Sequence, residues 1–202
     1  GMKEKRGVAG TFFNALACQD INILAIAQGS SERSISAVIN GTDGDTAVRS
    51  AHRFFFNTAQ TIELFIFGTG TIGGCLIEQI RSRQKKLAAQ NIDIKVMGIA
   101  SADGMMLSEA GIDLASWKKS FPKKKTDVSV DGMLDFVSCV KPLNPVFVDC
   151  TASSELPLRY LDIFKAGMHI ATPNKRANSM DMDFYKELRR TANAMHRRFL
   201  YE

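Results

Sequence analysis

Two stretches of the chain carry residue types at spacings that do recognisable chemistry. The first is Gly68-Thr69-Gly70-Thr71-Ile72-Gly73, a G-x-G-x-x-G run that follows directly on Glu63-Leu64-Phe65-Ile66-Phe67. A β-prone strand, a glycine turn and a helical pattern, in that order, make a phosphate site for a dinucleotide. Gly68 permits the tight turn. Gly70 has no side chain, so a pyrophosphate can approach the backbone. Gly73 lets the helix pack close to the strand. The N–H groups and dipole at the helix start then face the anion. The bland alternative is a turn that is only a turn. The strand before it and the helix after it favour the cofactor site, with Thr69, Thr71 and Ile72 completing its wall.

The second stretch is a pair of strand ends. Asp149-Cys150-Thr151-Ala152-Ser153-Ser154 leaves the carboxyl end of one predicted strand, and Thr172-Pro173-Asn174-Lys175 leaves the next. In an open α/β sheet, ligands bind along that edge. Thr151 and Ser153 can face cofactor or substrate. Equally, Ser153 or Ser154 can cap the following helix, and the two roles are compatible. Lys175 can meet a carboxylate or polarise a carbonyl during hydride transfer; a solvated turn lysine is the alternative. The strand after the glycine turn ends Ile99-Ala100-Ser101-Ala102-Asp103, with no acid at its tip to hold a ribose. Ser101 joins the cofactor residues. The missing acid leaves room for a 2′-phosphate, although no arginine stands there to grip it. The reading is NADP, or use of both cofactors. His52, His169 and His196 share no metal-ligand spacing and read as structural or surface residues.

These residues need elements to position them. Periodicity predicts a helix over 8–19 with Val8, Phe12, Phe13, Leu16 and Ala17 on one face. A buried strand over 22–27, a turn over 28–32 and a strand over 34–40 follow. A helix over 46–56 then turns Val48, Ala51, Phe55 and His52 inward, and 57–61 is a polar joint. From residue 62 the pattern becomes β-α alternation. Strands are expected at 62–67, 94–100, 146–150, 169–172 and 198–201. Helices are expected at 71–89, 113–119, 131–140, 155–166 and 180–196. Such alternation implies a doubly wound parallel-sheet dinucleotide-binding (Rossmann) domain over 61–202. A partial α+β domain over 1–60 precedes it.

Bulk properties exclude several classes. The chain has 202 residues, a hydrophobic fraction of 45% and no membrane-length apolar run, so no membrane partner is expected. The N-terminus lacks the apolar core of a signal peptide. Cys18, Cys75, Cys139 and Cys150 form no C-x-x-C pair and read as reduced, buried thiols of a cytoplasmic protein. The net charge of +5 owes much to Lys118, Lys119, Lys123, Lys124 and Lys125. Without aromatic interleaving this run reads as a solvated loop, and no nucleic-acid partner is expected.

Together Phe67–Gly73, Val148–Ser153 and Thr172-Pro173-Asn174-Lys175-Arg176-Ala177-Asn178 resemble homoserine dehydrogenase, with Arg176 in place of a second lysine in its T-P-N-K-K-A signature. Asn22 to Ser36 looks like the last ACT regulatory domain of the fused aspartokinase–homoserine dehydrogenases. The resemblance implies NADP- or NAD-dependent interconversion of aspartate 4-semialdehyde and homoserine. It implies that Gly68, Gly70 and Gly73 bind the phosphates, and that Thr151, Ser153 and Lys175 line the cleft near nicotinamide and substrate. It aligns Glu202 with a glutamate that helps hold a monovalent cation. It matches Asn22 and Gln28 to a site for the feedback inhibitor threonine, and it implies a homo-oligomer. On this reading the chain is an excised piece, lacking a kinase domain upstream and the catalytic domain downstream, and is itself inactive. The alternative is an amino-acid-sensing module for which the nucleotide fold is a scaffold.

Overall fold

The structure, a computed structural model, describes residues 7–28, 34–56, 60–122 and 128–201. Residues 29–32 of the turn expected at 28–32, most of the joint at 57–61, Lys123 to Lys125 and Glu202 lie outside these residues, and Gln28 ends a strand instead. The chain divides into two compact units, Gly1–Gln60 and Thr61–Glu202.

The first unit holds α1 (Val8–Ala17), strands β1 (Ile23–Gln28) and β2 (Ile35–Ile39), and α2 (Gly44–Phe56). The strands pair antiparallel. Leu16, Ile21 and Ala47 form a small core against Phe12, Ile23, Ala37 and Ile39. The helix contact is made through small groups, and the Ser50 hydroxyl donates to the Ala15 carbonyl at 2.6 Å. That close approach corrects the expected inward face of α2. Ala47 and Ser50 are buried, while Val48 is 70% exposed and His52 stacks outside on Phe56. Similarly, α1 buries Ala15 and Leu16 but exposes Ala17. The expected burial of the first strand is also wrong. From Leu24 onward β1 is exposed, with Leu24 at 64% and Ile26 at 57%. Two short helices cannot cover both faces of a two-stranded sheet.

The second unit is a six-stranded sheet in the order β5-β4-β3-β6-β7-β8. Its strands are β3 (Gln60–Phe67), β4 (Ile92–Ser101), β5 (Gly104–Leu107), β6 (Pro145–Asp149), β7 (His169–Thr172) and β8 (Phe199–Tyr201). The pairs β3–β6, β6–β7 and β7–β8 are parallel, and β4–β5 is antiparallel. Helices α3 (Thr71–Ala89), α4 (Trp117–Ser120), α5 (Val130–Val140), α6 (Tyr160–Lys165) and α7 (Met182–Ala194) complete the unit. Alternation along β3 builds a core on each face. Leu64 and Ile66 join Ile77, Ile80, Val96 and Trp117 on one side. Phe65 and Phe67 join Phe147, Tyr160, Phe164, Leu188 and Phe199 on the other. A strand apolar on both faces is what a doubly wound sheet requires.

Further details differ from expectation. Of the helix expected at 113–119, only Trp117–Ser120 is helical. The short antiparallel β5 makes the sheet mixed rather than wholly parallel. The helix expected at 155–166 begins as a 3-10 turn, Leu156–Arg159, and becomes α-helical only from Tyr160. The cysteines are also a correction. Cys18, Cys75 and Cys139 are exposed and only Cys150 is half-buried. Cys18 follows the end of α1, and Cys75 and Cys139 lie on the outward sides of α3 and α5. Lys118 and Lys119 are exposed, and among the described residues no helix is long and apolar enough to cross a membrane.

Candidate functional site

The strand order reverses between β3 and β6, and the loops that leave these two strands at that point pack on each other. Gly68 sits at φ +94°, a backbone that favours glycine. A Cβ there would lie 2.8 Å from the carbonyl of Cys150. The Gly68 N–H donates to the Ala100 carbonyl at 2.8 Å, and the Cys150 N–H to the Phe67 carbonyl at 2.7 Å. Both loops are thus fixed to the sheet. A Cβ on Gly73 would lie 1.8 Å from the Gly68 carbonyl oxygen, whereas one on Gly70 would meet nothing within 4 Å. The helix α3 opens there with Gly70 as its N-cap residue and no side-chain cap. Its first N–H groups, at Thr71, Ile72 and Gly73, therefore have no intrahelical acceptor. Two glycines forced by packing and a third facing open space form a cradle of the kind a pyrophosphate fills. By this test the residues fit a dinucleotide.

A cleft of about 420 Å³ adjoins the cradle, lined by Ile72, Thr151, Ala152, Pro173, Asn174, Lys175, Arg176 and Ser179. Of the residues singled out in the sequence, Ile72, Thr151 and Lys175 come together here. Ser153 does not line the cleft. Its hydroxyl accepts from the N–H groups of Glu155 and Leu156 at 3.1 and 3.2 Å and so closes the turn that leads into Leu156–Arg159. Thr69 is half-buried in the glycine turn, and Thr71 is exposed at the start of α3. Ser101 ends β4, away from the cleft lining, and its hydroxyl accepts from the Asp103 N–H at 3.1 Å. Asn22 precedes β1 and Gln28 ends it; both are exposed and belong to the first unit. Glu202 lies outside the described residues. Among those residues, no group of three or more His, Cys, Asp or Glu is placed to hold a metal ion.

Sequence reasoning missed the buried polar group under the cleft. The Asp149 carboxylate is fully buried. One oxygen accepts from the Thr151 N–H at 2.8 Å and hydroxyl at 2.7 Å. The other accepts from the Tyr160 hydroxyl at 2.6 Å and the Asn174 amide at 3.0 Å. The available signal was an aspartate ending an otherwise apolar strand, but its partners come from three other places in the chain. Burial, helped by the Asp149 charge, holds the Tyr160 phenol far above its usual range, so it remains a donor. The same two causes push the Cys150 thiol up to about 11. His169, at the opposite end of the sheet, is held below the usual histidine value, chiefly by burial and then by Arg197 and Arg198.

A reversal point, a glycine cradle at a helix start and a neighbouring polar cleft define a dinucleotide-binding α/β domain. The chain belongs to the family described as homoserine dehydrogenase, NAD-binding domain, whose model matches residues 68–202. An ACT-domain model matches residues 1–55. The chain is 42% identical over its whole length to a bifunctional aspartokinase/homoserine dehydrogenase of Haemophilus influenzae, of which it spans 25%. It is 39% identical over its whole length to a chloroplastic counterpart from Zea mays, of which it spans 22%. It thus spans about a quarter of the length of these curated relatives. Its fold is shared with a hyperthermophilic archaeal homoserine dehydrogenase solved in complex with NADPH. The TM-score is 0.55 at 22% identity, over 71% of this chain and 44% of that one.

Proposed function

We propose that the chain supplies the dinucleotide-binding part of an enzyme that interconverts L-aspartate 4-semialdehyde and L-homoserine, using NADP or both nicotinamide dinucleotides. The observation that supports this most is the glycine cradle opening beside a cleft that holds Lys175. The cofactor, when bound, supplies or takes up the hydride. The chain's own residues do the rest of what is proposed here. The N–H groups of Thr71, Ile72 and Gly73, with the α3 dipole, attract the pyrophosphate. Thr151 walls the cleft. The Lys175 ammonium steadies the charge that builds on the substrate oxygen as the aldehyde becomes an alcohol. Among the described residues no carboxylate lines the cleft. The other groups for homoserine, a monovalent cation held with Glu202, and aspartate kinase activity are assigned to the whole enzyme. NADP is favoured because the β4 tip carries Ser101 rather than an acid. The setting proposed is the cytoplasm.

The ACT segment supports a regulatory reading alongside, with threonine as effector and a homo-oligomer as the working state. Asn22 and Gln28 stand at opposite ends of β1, about 20 Å apart at strand rise. A molecule the size of threonine cannot touch both within one copy, so the site is assigned to the junction of two copies.

Titration of the chain with NADPH, NADH and threonine separately tests these readings. Micromolar NADPH with weaker NADH is expected. Binding of threonine but of neither dinucleotide would leave only the sensing module.

A further inference from the structure

The Asp149 carboxylate ties together the two loops that wall the cleft. Its four donors are Thr151 N–H, the Thr151 hydroxyl, the Tyr160 hydroxyl and the Asn174 amide, all neutral. The Asn174 side chain is itself 6% exposed and works in three directions. Its amide donates to Asp149 and to the Ser153 carbonyl at 2.9 Å, and its oxygen accepts from the Arg176 N–H at 3.1 Å. It therefore brackets Lys175, the residue between Asn174 and Arg176. A further strap runs through Thr172. Its hydroxyl donates to the Asp149 carbonyl at 3.0 Å and accepts from the Asn174 N–H at 2.9 Å. Lys175 is exposed, and among the described residues its side chain has no hydrogen-bonded partner. Its position is set by its backbone, and that backbone is set from below.

Building on the cofactor reading above, we infer that Asp149 is a positioning residue, whose buried carboxylate holds Thr151 and, through Asn174, Lys175 against the nicotinamide half of the dinucleotide. The cofactor halves divide at the glycine cradle. The adenosine side lies toward β4, where dinucleotide folds hold the adenine ribose, and the nicotinamide side toward β6 and β7. The Asp149 carboxylate is hydrogen-bonded only on the second side. A carboxylate is required because four donors converge on it. An amide in its place can satisfy Thr151 with its oxygen, but then turns its NH2 on Tyr160 and Asn174. The Tyr160 hydroxyl can rotate to accept, whereas the Asn174 NH2 cannot. The β7 loop is released while the Thr151 turn stays held.

The test compares two probes on the full chain, NADPH and adenosine 2′,5′-bisphosphate. Asp149→Asn is expected to weaken NADPH about tenfold or more, the scale of a lost hydrogen bond to a charged group. It should also remove the rise in nicotinamide fluorescence on binding. Affinity for the bisphosphate should stay within about twofold, because the cradle is untouched. If Asp149→Asn does not fold, Asn174→Ala, which leaves the carboxylate three donors, carries the same expectations. Equal weakening of both probes would show a merely structural role and overturn the inference. Unchanged NADPH affinity would overturn it alone. A wild-type chain that binds neither probe would overturn the cofactor reading and this inference with it.

Discussion

The Cβ that Gly73 lacks would lie 1.8 Å from the carbonyl oxygen of Gly68. The two ends of the phosphate turn thus touch backbone to helix, and packing alone demands glycine at position 73. Gly70, between them, faces open space. Packing and ligand binding therefore separate within six residues.

Gly73→Ala should unfold or strongly destabilise the second unit, lowering its Tm by about 10 °C or more. Gly70→Val should lower Tm by only a few degrees, the cost of about 1 kcal/mol for a poor N-cap residue. It should nevertheless weaken NADPH by about two orders of magnitude. Calorimetry and NADPH titration on both variants check this. Equal Tm losses would mean that Gly70 is packed and not merely facing ligand.

Cys150 should resist alkylation. With its thiol pushed up to about 11, only about one molecule in a thousand carries the thiolate at pH 8. Cys18, Cys75 and Cys139 are exposed and should react first with iodoacetamide. Site-resolved mass spectrometry over time checks the order. Early labelling of Cys150 would contradict the buried geometry beside Gly68.

His169 should make stability fall with acid. Its Nδ1 accepts from the Arg198 N–H at 2.9 Å, which requires the neutral ring. The folded pKa lies below the unfolded one, so the unfolded chain binds the proton first. The contribution is complete above about pH 6.5 and is lost as pH falls through the folded value. His169→Asn, whose side-chain oxygen can accept the same bond, should flatten this part of the profile. Urea melts at pH 7.5 and 5.5 provide the comparison. Parallel pH slopes for the two proteins would exclude His169 as the source.

The first unit should drive self-association. Leu24, Ile26, Val38 and Phe56 are 55–71% exposed, and they are large apolar side chains. Ile26→Lys with Val38→Lys should shift the chain toward monomer in sedimentation at micromolar concentration. A wild-type chain that is monomeric there would remove the basis for a site shared between copies.

Homoserine turnover by the 202-residue chain should be negligible even where NADPH binds. Lys175 is the cleft's candidate for meeting the substrate, and no described carboxylate lines that cleft to exchange a proton. A coupled absorbance assay checks this. Turnover comparable to that of a full-length relative would show that other residues of this chain supply the acid–base groups.

The β-α alternation from residue 62 was legible because β3, β4 and β6 are apolar runs bounded by turn residues, and α3 has a long regular period. Gly104-Met105-Met106-Leu107 was not legible as β5. It is four residues long, lacks β-branched side chains and does not alternate. In the first unit, the apolar residues of β1 do not signal burial, because composition does not reveal how many helices are present to cover a sheet. The glycine cradle was legible from local order, and Lys175 from its place after a strand. The Asp149 group was not, since Tyr160 and Asn174 lie 11 and 25 residues away and meet it only once β6, α6 and β7 are packed.

The antiparallel β5 has a consequence for how this domain can diverge. Where a doubly wound sheet usually sends a crossover helix, β4 here turns back through Ala102 and Asp103, both exposed, to Gly104. The adenosine end of a dinucleotide would thus rest beside the tip of a hairpin and not beside a packed helix. Hairpin tips accept substitution and insertion at little cost to a core. Preference for one nicotinamide dinucleotide over the other can therefore drift in this lineage through two or three surface residues, while the cleft lined by Lys175 stays fixed.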